Sequence, residues 1–242
     1  IVEGVDEVGT GGGPDPFHRL VAGGSRWWAP QIKKEAVAAY GAEITECPPS
    51  AAARHETMER VRTTTGADFI HPFDDHRVIA GQATCARELL DQVDDLDVVI
   101  TPIGGGGLVS GTCLTLASVA PGVEMVAAEP AQADDAARSL AAGRLIADDA
   151  PQTIADGLKT PMGDLTWRFV SRHVSAILTA TEDEIIGAMR LAWERLRMVV
   201  EPSSAVALAI VLNEPERFRG QRIGVVVTGG NVDLDRLPWM AT

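Results

Sequence analysis

Positive charge is what this chain has least of. Its 21 Lys and Arg stand against 34 Asp and Glu, leaving a net charge of -13 over 242 residues. That balance argues against nucleic acid and against anionic membrane surfaces as partners. No apolar run approaches the ~20 residues that a membrane-spanning helix needs, and no basic, apolar leader suggests export. Cysteine is scarce too: Cys47, Cys85 and Cys113 are odd in number and form no C-x-x-C pair. They read as small buried hydrophobes in a reduced, cytoplasmic protein. Neither common nucleotide motif is present, since there is no G-x-G-x-x-G and no glycine loop followed by Lys-Ser or Lys-Thr. Internal repeats and low-complexity tracts are also missing.

What the chain does have is apolar material, at 45% of residues, enough for one large domain or one domain plus part of another. Its organising stretch is Thr101-Pro-Ile-Gly-Gly-Gly-Gly-Leu-Val-Ser110. The apolar residues 98–100 before it predict a buried strand, and residues 111–120 after it predict a helix of small side chains. Four glycines between the two let backbone amides turn toward one point, and a helix N-terminus attracts an anion there. An empty tight loop is the alternative reading.

Residues 1–28 break every period with Gly9-Thr-Gly-Gly-Gly13 and Gly23-Gly24 and read as a linker-like leader. Pro30 opens a helix that Gly41 closes. A strand is expected over residues 42–47, a helix over residues 51–65 and another strand over residues 67–71, an alternation that implies parallel pairing. Helices follow over residues 78–93 and 133–142, with a strand over residues 124–128 between them. Residues 149–163 read mostly as loop. A long amphipathic helix spans residues 181–197, opened by a Thr181/Glu184 capping box. Residues 203–212 make an Ala/Val helix, and residues 222–227 the last strand. Of the five histidines, His71, His76 and His173 lack ligand spacing and read as turn or surface residues.

Six stretches occur in one order: His71-Pro-Phe-Asp-Asp-His-Arg-Val-Ile-Ala-Gly-Gln82, the glycine loop, Glu129-Pro-Ala-Gln-Ala-Asp-Asp135, Thr153-Ile-Ala-Asp-Gly157, Glu201-Pro-Ser-Ser-Ala205 and Thr228-Gly-Gly-Asn-Val-Asp233. Together they resemble the serine/threonine dehydratase and serine racemase family of pyridoxal 5′-phosphate (PLP) enzymes. The resemblance implies a three-layer α/β fold of the tryptophan-synthase-β type (fold type II). It divides the chain into the leader (residues 1–28), the remnant of a small domain (residues 29–75) and a large PLP-binding domain (residues 76–242). It implies that Gly104, Gly105, Gly106, Gly107 and Leu108 hold the cofactor phosphate, and that Gly157 lets backbone approach the cofactor. Thr228 is implied beside the pyridine nitrogen, and Glu201 near the ring. A hydroxyl cannot hand that nitrogen a full proton, which leaves a weaker electron sink and suits elimination over transamination. Simpler roles stay open: Thr228 capping the last strand, Glu201 pairing charge at a helix entry, and Gly157 turning the chain.

Glu129, the carbonyl of Ala133, and Asp135 resemble the family's site for a divalent cation (Mg²⁺, Mn²⁺ or Ca²⁺), an all-oxygen set. Helix capping by Asp134 and Asp135 is the alternative, and Glu129 is expected to take no part in it. The resemblance implies dehydration of L-serine or L-threonine to a 2-oxo acid and ammonia, with a small amino acid as substrate, and the family leans to homodimers. Serine racemisation and hydroxyaspartate dehydration are equally compatible. One feature of the family is not found: the N-terminal lysine that bonds the cofactor covalently. The three lysines, Lys33, Lys34 and Lys159, match other positions, so no catalytic residue is assigned. The expected explanation is a truncated or misread N-terminus. A non-catalytic PLP- or anion-binding subunit is the rival.

Overall fold

A computed structural model describes residues 19–23, 31–48, 50–147 and 151–240. The chain divides into two compact units, residues 1–72 and 73–242. The division falls three residues ahead of the boundary expected from the sequence.

In the first unit, strand β1 (Arg19–Gly23) is followed by helix α1 (Gln31–Ala39), strand β2 (Glu43–Cys47) and helix α2 (Ala51–Thr65). β1 and β2 run parallel, Arg19 opposite Glu43 and Gly23 opposite Cys47. α2 has the span its sequence predicts. Ser50 accepts the Ala53 N–H at its start, and Gly66, at φ +72°, ends it in a left-handed cap. Two expectations fail here. Part of the supposed leader, Arg19–Gly23, is a strand, because the parallel crossover through α1 gives its short apolar run a partner; the rest of residues 1–28 lies outside the described residues. Conversely, residues 67–71 form no strand, having no pairing neighbour among the described residues.

The second unit opens with helix α3 (His76–Gln92), capped by Asp75. Then come strand β3 (Val98–Pro102), helix α4 (Gly107–Val119), strand β4 (Glu124–Pro130) and helix α5 (Asp135–Ala142). A single 3-10 turn (Asp156–Leu158) precedes helix α6 (Asp164–His173) and strand β5 (Ala176–Ala180). Helix α7 (Glu182–Leu191) begins with the predicted capping box: Glu184 accepts the Thr181 N–H at 2.7 Å. It widens into a π-helical turn (Ala192–Leu196) where the sequence predicted one unbroken helix. Helix α8 (Pro202–Asn213) and strand β6 (Ile223–Val225) complete the unit.

The sheet is parallel throughout, in the order β5-β4-β3-β6. Successive strand residues point to opposite faces, and each face carries its own core. Val98, Ile100, Val126 and Ala128 pack with α7 and α8, among them Ile185, Met189, Val206 and Ile210. Val99, Met125 and Ala127 pack with α4 and α6, among them Val109, Cys113, Leu116 and Val170. β3 is buried over its whole length. The result is three layers, helices on both faces of a central parallel sheet. α3 crosses α4 closely enough that a Cβ on Gly111 would lie 2.5 Å from the Ala83 nitrogen and 2.8 Å from the Ile79 carbonyl.

Candidate functional site

β3 delivers the chain to the glycine loop from the middle of the sheet. Ile103 still bonds sideways to the Ala128 carbonyl at 2.9 Å, and the next residues leave the sheet. Gly106, at φ +87°, is the N-cap of α4, so the helix starts four residues earlier than the sequence predicted. That shift puts the loop itself at the helix N-terminus. The N–H groups of Gly104, Gly105, Gly106, Gly107 and Leu108 take no protein acceptor among the described residues. Amides of this kind are costly to bury unmet, and at a helix start water, a side chain or an anion can satisfy them.

The glycines are glycines for a packing reason as well. A Cβ on Gly105 would strike the Phe73 ring, and one on Gly107 would sit 3.0 Å from the Phe73 Cβ. One on Gly106 would lie 2.9 Å from the Thr166 Cβ, and one on Gly104 would lie 3.1 Å from the Gly157 carbonyl oxygen and the Leu158 Cα. Phe73, Gly157 and Thr166 therefore wall the loop on its protein side. Sequence reasoning did not single out Phe73 or Thr166. Phe73 sits in the motif at residues 71–82, but Thr166 had no local signal.

The other expected residues lie around α8. Ser203 Oγ accepts the Gly157 N–H at 3.0 Å, and Ser204 Oγ accepts the Thr228 N–H at 2.8 Å. Adjacent serines in the first turn of α8 thus tie down two separate loops. Glu201, the N-cap of α8, makes no cap bond with its side chain. Its N–H donates to the Gly229 carbonyl at 2.9 Å, and its carboxylate accepts the Asn231 N–H at 3.0 Å. Glu201 therefore latches the loop after β6 through both its own N–H and its carboxylate.

Glu129 requires a correction. Its two carboxylate oxygens each accept an amide of the first turn of α5, from Ala136 and Ala137, both at 2.9 Å. It caps the helix from β4, contrary to expectation, because the β4–α5 turn brings the two within reach. Burial pushes its pKa up to about 8, against the two amide bonds, with Asp135 and Asp134 raising it further. Ala133 and Asp135 are buried beside it. The two amide bonds leave further lone pairs on the carboxylate, and no observation among the described residues adds support for a cation at Glu129, Ala133 and Asp135. Among the described residues no group of three or more His, Cys, Asp or Glu is placed to hold a metal ion.

Lys34 pairs with Glu46 at 2.7 Å in the first unit. Lys159 follows the 3-10 turn whose Gly157 and Leu158 abut Gly104, and burial lowers its pKa while Asp156 and Glu182 oppose the shift.

A central strand leading into a glycine loop whose amides have no protein acceptor among the described residues defines an α/β protein with an open helix start at the C-terminal edge of a parallel sheet. The chain belongs to the pyridoxal-phosphate dependent enzyme family, whose model matches residues 26–229. It is 62% identical over 211 residues to the beta-hydroxyaspartate dehydratase of Paracoccus denitrificans, covering 87% of this chain and 67% of that one. The solved serine racemase from Dictyostelium discoideum superimposes with a TM-score of 0.82 at 42% identity, over 89% of this chain and 69% of that one. The solved maize serine racemase gives 0.86 at 39% identity, over 92% and 68%. A solved threonine deaminase gives 0.83 at 38% identity, over 89% and 70%. The chain thus spans about two thirds of the length of the relatives it matches. The fold is the tryptophan-synthase-β type that the sequence motifs implied. Among the described residues no helix is long and apolar enough to cross a membrane.

Proposed function

We propose that this chain carries the phosphate-binding half of a PLP-dependent dehydratase acting on a small β-hydroxy amino acid. The observation that carries this reading is the run of five amides, Gly104 to Leu108, with no protein acceptor among the described residues at the start of α4. These amides and the α4 dipole would hold the phosphate. Gly157, fixed by Ser203, and Thr228, fixed by Ser204, would flank the ring. When bound, PLP supplies the electron sink that takes up negative charge developing at the substrate α-carbon. The hydroxyl of Thr228 is too weak an acid to protonate the ring nitrogen fully, which favours prompt loss of a β-hydroxyl. β-Hydroxyaspartate stands first among substrates because the relative bearing that activity is 62% identical, against 43% for the Dictyostelium serine racemase. Serine and threonine come next.

A second reading, a PLP-binding subunit without turnover, is favoured by the lysines. None stands at the family's covalent position, and Lys34 is engaged with Glu46. The experiment adds PLP to the chain, reduces with borohydride, digests, and assays ammonia release from hydroxyaspartate, serine and threonine. The chain by itself should bind PLP, yield no pyridoxyl-lysine peptide and release no ammonia. Joining the lysine-bearing N-terminal segment of a relative should restore release, fastest from hydroxyaspartate. Gly106→Asp should abolish PLP binding by placing an anion against the amides. PLP binding that survives this substitution puts the site elsewhere, and no turnover in the joined chain leaves the second reading.

A further inference from the structure

A peptide amide points where its carbonyl partner allows, and the glycine loop has one carbonyl held from outside. Thr166, fully buried in the first turn of α6, donates its hydroxyl to the Gly105 carbonyl at 2.8 Å and accepts the Gly163 N–H at 3.0 Å. Its single proton has another acceptor in reach, the Gly163 carbonyl at 3.2 Å, but the Gly105 bond is the shorter. In a trans peptide the C=O and the following N–H point to opposite sides, and no cis peptide is present among the described residues. Holding the Gly105 carbonyl toward Thr166 therefore turns the Gly106 N–H away from α6. That N–H is one of the amides without a protein acceptor among the described residues. The near approach of a Gly106 Cβ to the Thr166 Cβ, at 2.9 Å, shows that α6 occupies the other side of the loop.

Thr166 is itself fixed from a distant part of the chain. Asp74 Oδ1 accepts the N–H groups of both Leu165 and Thr166 at 3.0 Å, anchoring the first turn of α6. The ring of the preceding residue, Phe73, lies against Gly105. Orientation thus runs from Asp74 to the α6 turn, from Thr166 to the Gly105 carbonyl, and through one rigid peptide to the Gly106 amide. The geometry points to Thr166 as a positioning residue that aims the amides of the cradle at a phosphate monoester. It rests on the reading of this loop as a phosphate site.

Equilibrium dialysis of the full chain with PLP and with pyridoxal, which lacks the phosphate, separates the two ideas. The parent should prefer PLP. Thr166→Val should weaken PLP binding about tenfold, the loss of one charge-assisted bond, and leave pyridoxal unchanged, while Thr166→Ser restores the parent ratio. If circular dichroism shows the valine variant unfolded, Thr166→Cys, whose thiol is a weak donor, should show a smaller loss in the same direction. A folded valine or cysteine variant with the parent's PLP-to-pyridoxal ratio overturns the positioning role, even if its melting temperature falls. A parent without preference for PLP overturns the phosphate reading itself.

Discussion

Strands β2 and β3 are each five residues long and each pairs in parallel, yet no residue of β2 is fully buried and every residue of β3 is. The difference lies in what surrounds them. β3 has a strand on either side and helices on both faces, so its Val98-Val-Ile-Thr-Pro102 run meets apolar neighbours in every direction. β2 has one strand partner among the described residues, and its Glu43-Ile-Thr-Glu-Cys47 run mixes apolar with charged side chains. A two-stranded sheet has little apolar surface to share. In the first unit Val37 is the one buried apolar side chain among those described. α2, a well-capped helix, buries only Thr57 among its described side chains. Good caps and good helix formers therefore do not make a core. A sheet with both faces covered does.

The largest test of this contrast is a matched truncation. Ile100→Ala removes a side chain with no exposed surface and should cost about 2–5 kcal/mol. Ile44→Ala, on half-buried β2, should cost about 1 kcal/mol or less. Urea unfolding followed by circular dichroism measures both, and equal costs would show that the first unit has a core of its own. A finer test uses two helical glycines of the second unit. Gly111→Ala drives a Cβ into the backbone of α3 and should cost about 1–3 kcal/mol or more. Gly187→Ala meets nothing within 4 Å and should raise stability by about 0.4–1 kcal/mol. Their ranking in thermal melts would reverse only if α3 and α4 do not cross at Gly111.

The smallest effect involves no change in stability. Burial pushes the Cys113 thiol up to about 12 and raises Cys85 as well, while Cys47 lies half-buried on β2. Thiolate is the reactive form. A chromogenic disulfide reagent at neutral pH should therefore label Cys47 first and Cys113 only after unfolding, as peptide mapping would show. Early labelling of Cys113 would mean that the α4 face opens.

Features written in neighbouring residues were legible in the sequence alone. The span of α2, the Thr181/Glu184 box and the glycine loop between a buried strand and a helix depend on contacts a few residues apart. The order of the six motifs that mark the family, from His71 to Asp233, is read directly from the sequence. Tertiary structure alone decided the rest. Arg19–Gly23 became a strand because a parallel partner lay across a crossover, while residues 67–71, of equal apolar promise, found none among the described residues. Nothing in the sequence marked Glu129 as a cap of α5, whose Ala136 lies seven residues further on. Only the turn of β4 into α5 put two amides on its oxygens. Asp74 and Thr166 are 92 residues apart, and nothing local marks either as a support of the glycine loop. A hydrogen bond between near neighbours leaves a pattern in the sequence, since the backbone geometry joining them is fixed. A bond across a folded layer leaves none, because any polar side chain of suitable length can make it once packing brings the groups together.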